Sequence, residues 1–213
     1  MNDIVFLVDN TKEPFTTSKV IADRTGMNHR RVKDAIRKHE HEIRSFGLLG
    51  AYATESSGGR PEEIYRLNEQ QATFLMTLLK NTPMVVDFKA ELVRRFYAMR
   101  TELYNVKYEK LERKPIRIGL TDAIKALPES PHKHLKYKQY TDLAYKLAIG
   151  KTAKQVRMER GANKKDTASN FLTSEEIEAV SKAENSISVL LGIGMSYSEI
   201  KSALSNSIIP LNN

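Results

Sequence analysis

Cysteine is absent from this sequence of 213 residues, and no long hydrophobic run occurs in it. The absence of cysteine excludes disulfides, thiolate metal sites and a cysteine nucleophile, and it is typical of a reducing, intracellular compartment. The apolar run near the N-terminus, Ile4 to Val8, spans only five residues and has no basic segment before it. We therefore expect neither a signal peptide nor a membrane span, and we expect a cytoplasmic protein.

Sequence motifs for catalysis are also missing. No Walker or GxGxxG pattern opens a helix, and no Ser, His and Asp arrangement or carboxylate pair stands out, so we expect neither an enzyme nor a cofactor. His39 and His41 lie two residues apart and would diverge on a helix, whereas helical ligand pairs are three or four residues apart. We therefore predict no metal site at the histidines, which are His29, His39, His41, His132 and His134.

Positive charge is present but unevenly distributed. The net charge of +8 favours an anionic partner, either nucleic acid or an acidic protein surface. Residues 1–67 hold eleven Lys and Arg against ten Asp and Glu, whereas residues 133–165 hold ten cations against two acids, with tyrosines among them. This stretch is either a partner-binding surface or a solvated helical face, and both interpretations stay open. Its candidate partner-binding residues are Lys133, Lys136, Lys138, Lys151, Lys154, Arg157 and Arg160.

The segment from Thr16 to Arg44 predicts two short helices separated by a glycine turn. Thr17 and Ser18 can cap the first helix, Gly26 suits its end, and Asn28 can cap the second. Val32, Ala35 and Ile36 form one apolar stripe on the second helix and leave its cations on the other faces. This is the pattern of a helix-turn-helix, whose second helix reads DNA bases. The predicted DNA-binding residues here are Asn28, His29, Arg30, Arg31, Lys33 and Arg37.

Strand-like runs flank the helix pair. We predict a first strand at Ile4–Val8 and a β-hairpin formed by Phe46–Thr54 and Glu62–Leu67, with a loop of turn-forming residues between them. A hairpin directly after a cationic helix is the layout of a winged helix. Arg60 lies at the predicted hairpin tip, where it could contact a DNA phosphate.

The remainder of the chain is predicted to be helical. A helix follows Asn68 to Lys80, and a longer one runs from Met84 to about Lys114, without glycine or proline, until Pro115. The apolar stripe from Leu92 to Leu103 could pair two copies, so we expect a homo-oligomer. Later helices are predicted at residues 121–127, 138–149, 152–160, 174–191 and 196–204. The fold class is mainly α with a small β component: a winged helix-turn-helix domain at 1–83, a connecting or dimerising helix at 84–114 and a helical interaction module at 115–213.

An ordered series of short motifs lies between about residues 3 and 100. The motifs are Thr17-Ser-x-x-Ile21-Ala22, Gly26, His29-x-x-Val32-x-x-x-Ile36, Gly59-Arg60-Pro61, Tyr65-x-Leu67, Phe74-Leu75-Met76 and Phe88-Lys89, ending near Phe96. This series resembles the phage regulatory protein Rha family. Gln70-Gln71 departs from it, because members usually carry an acidic residue and glycine at this point. The region after Pro115 is similar to the variable C-terminal modules of phage antirepressors, without a specific motif.

The resemblance implies a DNA-binding transcriptional regulator of a temperate phage that acts in the cytoplasm of the bacterial host cell. Proteins with this N-terminal half are often antirepressors, which control the switch between lysis and lysogeny. The implied partner is double-stranded DNA. An alternative is an antirepressor that acts purely by binding a phage repressor protein through the C-terminal module. The two activities are compatible in one chain.

Overall fold

The computed structural model describes residues 3–54, 61–129, 131–208 and 210–211. The chain divides into two compact units, Met1–Thr101 and Glu102–Asn213. The described residues are mainly helical, with one three-stranded antiparallel sheet. This composition confirms the predicted fold class. No helix in the described part of the chain is long and apolar enough to cross a lipid bilayer.

The first unit has a helix pair followed by a hairpin and further helices. Its elements are β1 (Phe15–Thr17), α1 (Ser18–Thr25), α2 (His29–Lys38), α3 (Glu40–Ser45), β2 (Gly50–Ala53), β3 (Glu63–Asn68), α4 (Glu69–Leu78) and the start of α5 (Pro83–Lys125). The sheet order is β1-β3-β2, so the second hairpin strand pairs with both other strands. Thr16 is opposite Leu67, and Tyr52 is opposite Ile64.

Local side-chain chemistry sets the ends of the helix pair as predicted. The Thr17 hydroxyl accepts a hydrogen bond from the Val20 amide at the start of α1, and Gly26 ends α1 with φ of 68°. The Asn28 side chain accepts from the Arg30 amide at the start of α2. Each cap satisfies an amide that lacks a partner within its helix.

Helix α4 also begins with a capping box. The Asn68 side chain accepts from the Gln71 amide, and the Gln71 side chain accepts from the Asn68 amide. The Gln71 side chain also donates to the Ile43 and Gly47 carbonyls. Gln71, where the sequence departs from the Rha pattern, therefore caps α4 and ties its first turn to the loop before β2.

The predicted strand at Ile4–Val8 is wrong. The segment forms one isolated bridge, between Phe6 and Phe15. Ile4 and Val5 are consecutive residues that are both buried, with 3% and 5% of their surface exposed. In a strand with one buried face, consecutive side chains point alternately to the core and to solvent. Ile4 and Val5 are instead both packed into the core.

The core of the first unit contains the stripe on which dimerisation was predicted. Phe88, Leu92 and Phe96 on α5 are 1–2% exposed and pack in one cluster with Ile21, Val32 and other residues. The expected pairing face from Leu92 to Leu103 is therefore wrong in its first half, because Leu92 and Phe96 are already covered by the chain itself.

Helix α5 continues past its predicted end at Lys114 and contains Pro115 in its interior. A proline removes one helical hydrogen bond, so its position in a helix needs compensation. Val106, Leu120 and Ile124 lie on both sides of Pro115, and all three are buried in the core of the second unit. Burial of these side chains compensates for the lost bond. The separate helix predicted at residues 121–127 is the last part of α5.

The second unit is helical throughout its described part. After α5 it contains α6 (Lys133–Ile149), α7 (Ala153–Glu159), a short 3₁₀ helix (Ala168–Phe171), α8 (Ser174–Gly192) and α9 (Tyr197–Ser205). Helix α6 begins at Lys133, five residues before the start predicted at Lys138. Helices α6 and α8 pack closely, and Ile149, Ile177 and Ile187 are fully buried between the elements. The sequence predicts three parts, at 1–83, 84–114 and 115–213, whereas the structure has two compact units. The three-part division remains a proposal.

Candidate nucleic-acid interface

Helix α2 has one buried side and one exposed cationic side. Val32 and Ile36 are 0% exposed and hold the helix against the core. Arg30 and Arg31 in its first turn and Lys38 in its last turn are exposed. None of these three cations forms an ion pair with a described residue. The exposed side of α2 therefore presents positive charge to an external anion.

His29, the first residue of α2, lies inside the unit and does not face outward with these cations. Only 8% of its surface is exposed. Its Nε2 atom lies 2.8 Å from the Ser18 hydroxyl oxygen, and its Nδ1 atom lies 2.5 Å from a Glu62 carboxylate oxygen. Ser18 also accepts a hydrogen bond from the Tyr65 amide at 3.0 Å. This His29 network joins α1, the start of α2 and the hairpin strand β3.

Electrostatics in the His29 network favour an ionised Glu62. The hydrogen bond from His29 is the largest cause that lowers the pKa of Glu62 below its ordinary value of 4.5, and burial acts in the opposite direction. His29 therefore holds α2 against the hairpin by accepting and donating hydrogen bonds within the chain. This geometry gives His29 a positioning role toward the predicted DNA-binding residues.

Arg37 is exposed, but it has partners on β3. Its guanidinium donates to Glu63 at 2.7 Å and to the Tyr65 hydroxyl at 3.3 Å. The hydrogen bond from Arg37 lowers the pKa of Glu63. Lys33 lies close enough to both Glu62 and Glu63 to lower their pKa values further. The side of α2 that faces β3 is therefore largely neutralised, unlike the side that carries Arg30 and Arg31.

Two further predicted residues have distinct positions. Asn28 is exposed, and its side-chain oxygen is engaged as the cap of α2. Arg60 and the predicted hairpin tip lie outside the described residues.

A cation that the sequence interpretation missed lies on the outer face of the sheet. The Arg66 guanidinium is 4.9 Å from the centroid of the Phe15 ring and 5.0 Å from that of Tyr52. Strand pairing brings these three residues together although they are far apart in the sequence. The aromatic rings hold the arginine by cation–π attraction. Alternation along β3 was the signal that could have identified Arg66 as outward-facing.

The basic stretch of the second unit is partly neutralised by its own acids. Lys133 pairs with Glu129 at 2.5 Å, and Lys138 pairs with Asp142 at 2.8 Å. Lys151 pairs with Glu159. Among the predicted partner-binding residues, those without an ion pair to any described residue are Lys136, Lys154 and Arg157.

Among the cations of this basic stretch, Arg160 is bound most extensively by other residues of the chain. It forms a two-pronged ion pair with Glu176, at 2.7 Å and 2.5 Å, and donates to the Phe171 carbonyl. The hydrogen bond that Arg160 donates to Glu176 is the largest cause that raises the pKa of Arg160. Arg160 therefore fixes the loop between α7 and α8 and is less available to a partner than Lys154 or Arg157.

A second group of cations lines a cleft of about 480 Å³ in this unit. Arg113 and Arg117 from α5 both contact Glu184, which is fully buried, at 2.7 Å and 2.9 Å. Lys114 and Arg157 also line the cleft and form no ion pair with a described residue. Sequence reasoning missed this cleft because α5 and α7 are separated by many residues in the chain.

No group of three or more His, Asp or Glu side chains among the described residues has a geometry that could hold a metal ion.

Comparison with known proteins agrees with the sequence motifs. Residues 16–101 match the family model described as phage regulatory protein Rha. This range contains the helix pair, the hairpin and α4, and it ends within α5. No curated protein matches the chain. The match supports a role as a phage regulator. Residues 16–101 of this chain are therefore similar to the phage regulatory protein Rha family.

Proposed function

We propose that this protein is a phage transcriptional regulator that binds double-stranded DNA through α2. The observation that carries the proposal is the exposed pair Arg30 and Arg31 in the first turn of a capped helix whose other side is buried. In helix-turn-helix proteins the N-terminal residues of the second helix contact base edges in the major groove. The order of helix pair and antiparallel hairpin supports a winged helix, and the Rha match supports the regulatory role.

The residues of α2 take different roles in this proposal. Arg30 and Arg31 read base edges, because a guanidinium can bind guanine O6 and N7 with two hydrogen bonds. Lys33 and Lys38 contact phosphates, which fix position without reading sequence. Arg37 contacts DNA by exchanging its bond to Glu63 for one to the duplex. Asn28 and His29 hold the start of α2, and Arg60 is proposed to contact the backbone from the hairpin tip.

The test is a mobility-shift titration of the full chain on duplexes from the regulatory region of the genome that encodes it. The double variant Arg30→Ala with Arg31→Ala should lose specific binding and keep weak binding to unrelated DNA. A loss of about 1–3 kcal/mol is expected for each base contact removed. This corresponds to roughly a fivefold to 150-fold loss of affinity per contact.

A matched control removes the same charge elsewhere in the first unit. Lys80 and Arg95 are exposed and lie outside α2. The double variant Lys80→Ala with Arg95→Ala should retain specific binding, with at most a small uniform loss. If both double variants lose affinity equally for every duplex, the cations act through net charge alone and the assignment to α2 is refuted.

A second candidate function is an antirepressor that binds a phage repressor protein through the second unit. It is favoured by Lys114 and Arg157, the two cleft cations without an ion pair to a described residue. The side of α2 that faces β3 is largely neutralised by Glu62 and Glu63, and the densest run of Lys and Arg lies in the second unit. An acidic repressor surface would complement these cations. The test is co-purification of the full chain with the repressor of the same phage, with and without nuclease. Binding that survives nuclease and is lost in Lys114→Glu with Arg157→Glu supports this candidate.

A further inference from the structure

Helix α5 carries an exposed apolar stripe within the second unit. Tyr104, Tyr108, Leu111 and Ile118 are 67%, 61%, 62% and 53% exposed. Together with Pro115, which is also exposed, they follow alternating steps of four and three residues. This is the a and d spacing of a coiled coil, in which two helices pair along the stripe. We name these five residues the α5 seam.

The opposite side of the same helix is already used. Val106, Arg113 and Leu120 lie seven residues apart, and Val106 and Leu120 are 2% and 0% exposed in the core of the unit. The Arg113 guanidinium is bound to the buried Glu184. The helix cannot rotate to cover the α5 seam without exposing this second stripe. The seam is therefore a fixed, exposed apolar surface of the second unit.

We infer that a second copy of this chain covers the α5 seam, and that the two α5 helices pair in parallel. Lys107 and Glu112 flank the seam on its two sides, at the g and e positions of the heptad. Both are exposed, and neither forms an ion pair with a described residue. In a parallel pair the g position of one helix faces the e position of the next heptad on the other. Lys107 then lies beside the partner's Glu112, and the twofold axis repeats this pair.

The charges select this arrangement over the alternatives. An antiparallel pair places g beside g, which brings Lys107 and Lys114 of one chain near the same lysines of the other. Like charges at these positions disfavour a pairing mode. The inference goes beyond the proposed function, since self-association can be measured without DNA. It also places the pairing face on the side of α5 opposite to the buried core.

The first test is the oligomeric state of the full chain by light scattering and sedimentation at micromolar concentration. The wild type should be a dimer, and Leu111→Glu should raise its dissociation constant on the order of a hundredfold, because each dimer loses two buried leucines. Leu111 is exposed within a single chain, so circular dichroism should show a folded variant. Ile193→Glu is the control, since Ile193 is 71% exposed outside the seam. A monomeric wild type, or equal effects of both variants, overturns the inference.

The second test determines direction. Because the chain has no native cysteine, single substitutions report on pairing without background. Parallel, in-register helices place the same residue of both chains side by side, so Tyr104→Cys, Leu111→Cys and Ile118→Cys should each form a disulfide-linked dimer. Crosslinking at Leu111→Cys alone indicates antiparallel pairing, and crosslinking at none of them excludes this seam. Lys107→Glu should weaken the dimer, and adding Glu112→Lys should restore it.

Discussion

Replacing His29 by alanine tests whether this residue positions α2 or reads DNA. The change removes the bonds from the imidazole to Ser18 and Glu62 and leaves a small cavity where the ring was 8% exposed. Ser18 is fully buried, and its hydroxyl proton loses its acceptor while its oxygen keeps the bond from the Tyr65 amide. An unsatisfied buried polar group costs about 1–3 kcal/mol. Glu62 is half-buried, so water can replace part of its lost bond.

The expected result is a less stable first unit with unaltered base preference. A loss of about 2 kcal/mol in a unit of roughly 100 residues corresponds to a fall in melting temperature on the order of 10 °C. DNA affinity should fall by a similar factor on every duplex, because α2 is held less firmly against the hairpin. Thermal unfolding by circular dichroism and mobility-shift titration on several duplexes provide the two measurements.

His41→Ala is the matched control, because His41 is an exposed histidine of the adjacent helix α3. A surface substitution of this kind changes stability by no more than about 0.5 kcal/mol. If His29→Ala leaves the melting temperature unchanged but alters the preferred base at one operator position, His29 contacts DNA directly and the positioning role is refuted.

Three further predictions concern stability. Glu62→Gln should lower the stability near neutral pH, where the Glu62 carboxylate is ionised and bound to His29. Because the folded protein holds the pKa of Glu62 below 4.5, the difference in stability from the wild type should shrink as the pH falls below 4.5. Melting temperatures from pH 3 to pH 7, roughly the titration range of the group, test this. Glu184→Ala should lower the free energy of unfolding by about 3–5 kcal/mol in urea titrations, because it leaves the Arg113 charge buried without its partner. Pro115→Ala should raise the free energy of unfolding by up to about 3 kcal/mol, because alanine is favourable in a helix interior and proline is not.

Each stability prediction has a contradicting result. A constant difference between Glu62→Gln and wild type at every pH would show that ionisation of Glu62 contributes nothing. The double variant Arg113→Met with Glu184→Leu should cost less than Glu184→Ala, since it leaves fewer unpaired buried charges. Equal losses would point to packing instead of charge. A fall in stability for Pro115→Ala would mean that the helix depends on the proline ring.

Features set by near neighbours could be predicted from the sequence. The caps at Thr17 and Asn28 follow from side chains that reach the next few amides. The same holds for Thr173, which forms a capping box with Glu176 at the start of α8. The i, i+4 pair of Lys138 with Asp142 on α6 could also be predicted from helical spacing, although a count of net charge alone does not reveal it.

Features that depend on the tertiary fold could not be predicted. His29 meets Glu62, which is 33 residues away, only after the hairpin packs against the helix pair. The two-pronged contact of Arg160 with Glu176 likewise requires the loop before α8 to fold back. The apolar periodicity of α5 identified a long helix, but periodicity does not tell which of two apolar stripes faces the chain's own core. The stripe at Leu92 was therefore assigned to a partner although it is buried.

The proposed regulatory role depends on sequence reading by Arg30 and Arg31 of α2. The most direct measurement is selection of preferred sites from a random pool of duplexes by the wild type and by Arg30→Ala, followed by sequencing. The wild type should select a defined motif, and Arg30→Ala should lose preference for one base pair, with guanine the base expected there. An identical selected motif for both proteins, or no enrichment by the wild type, would contradict it.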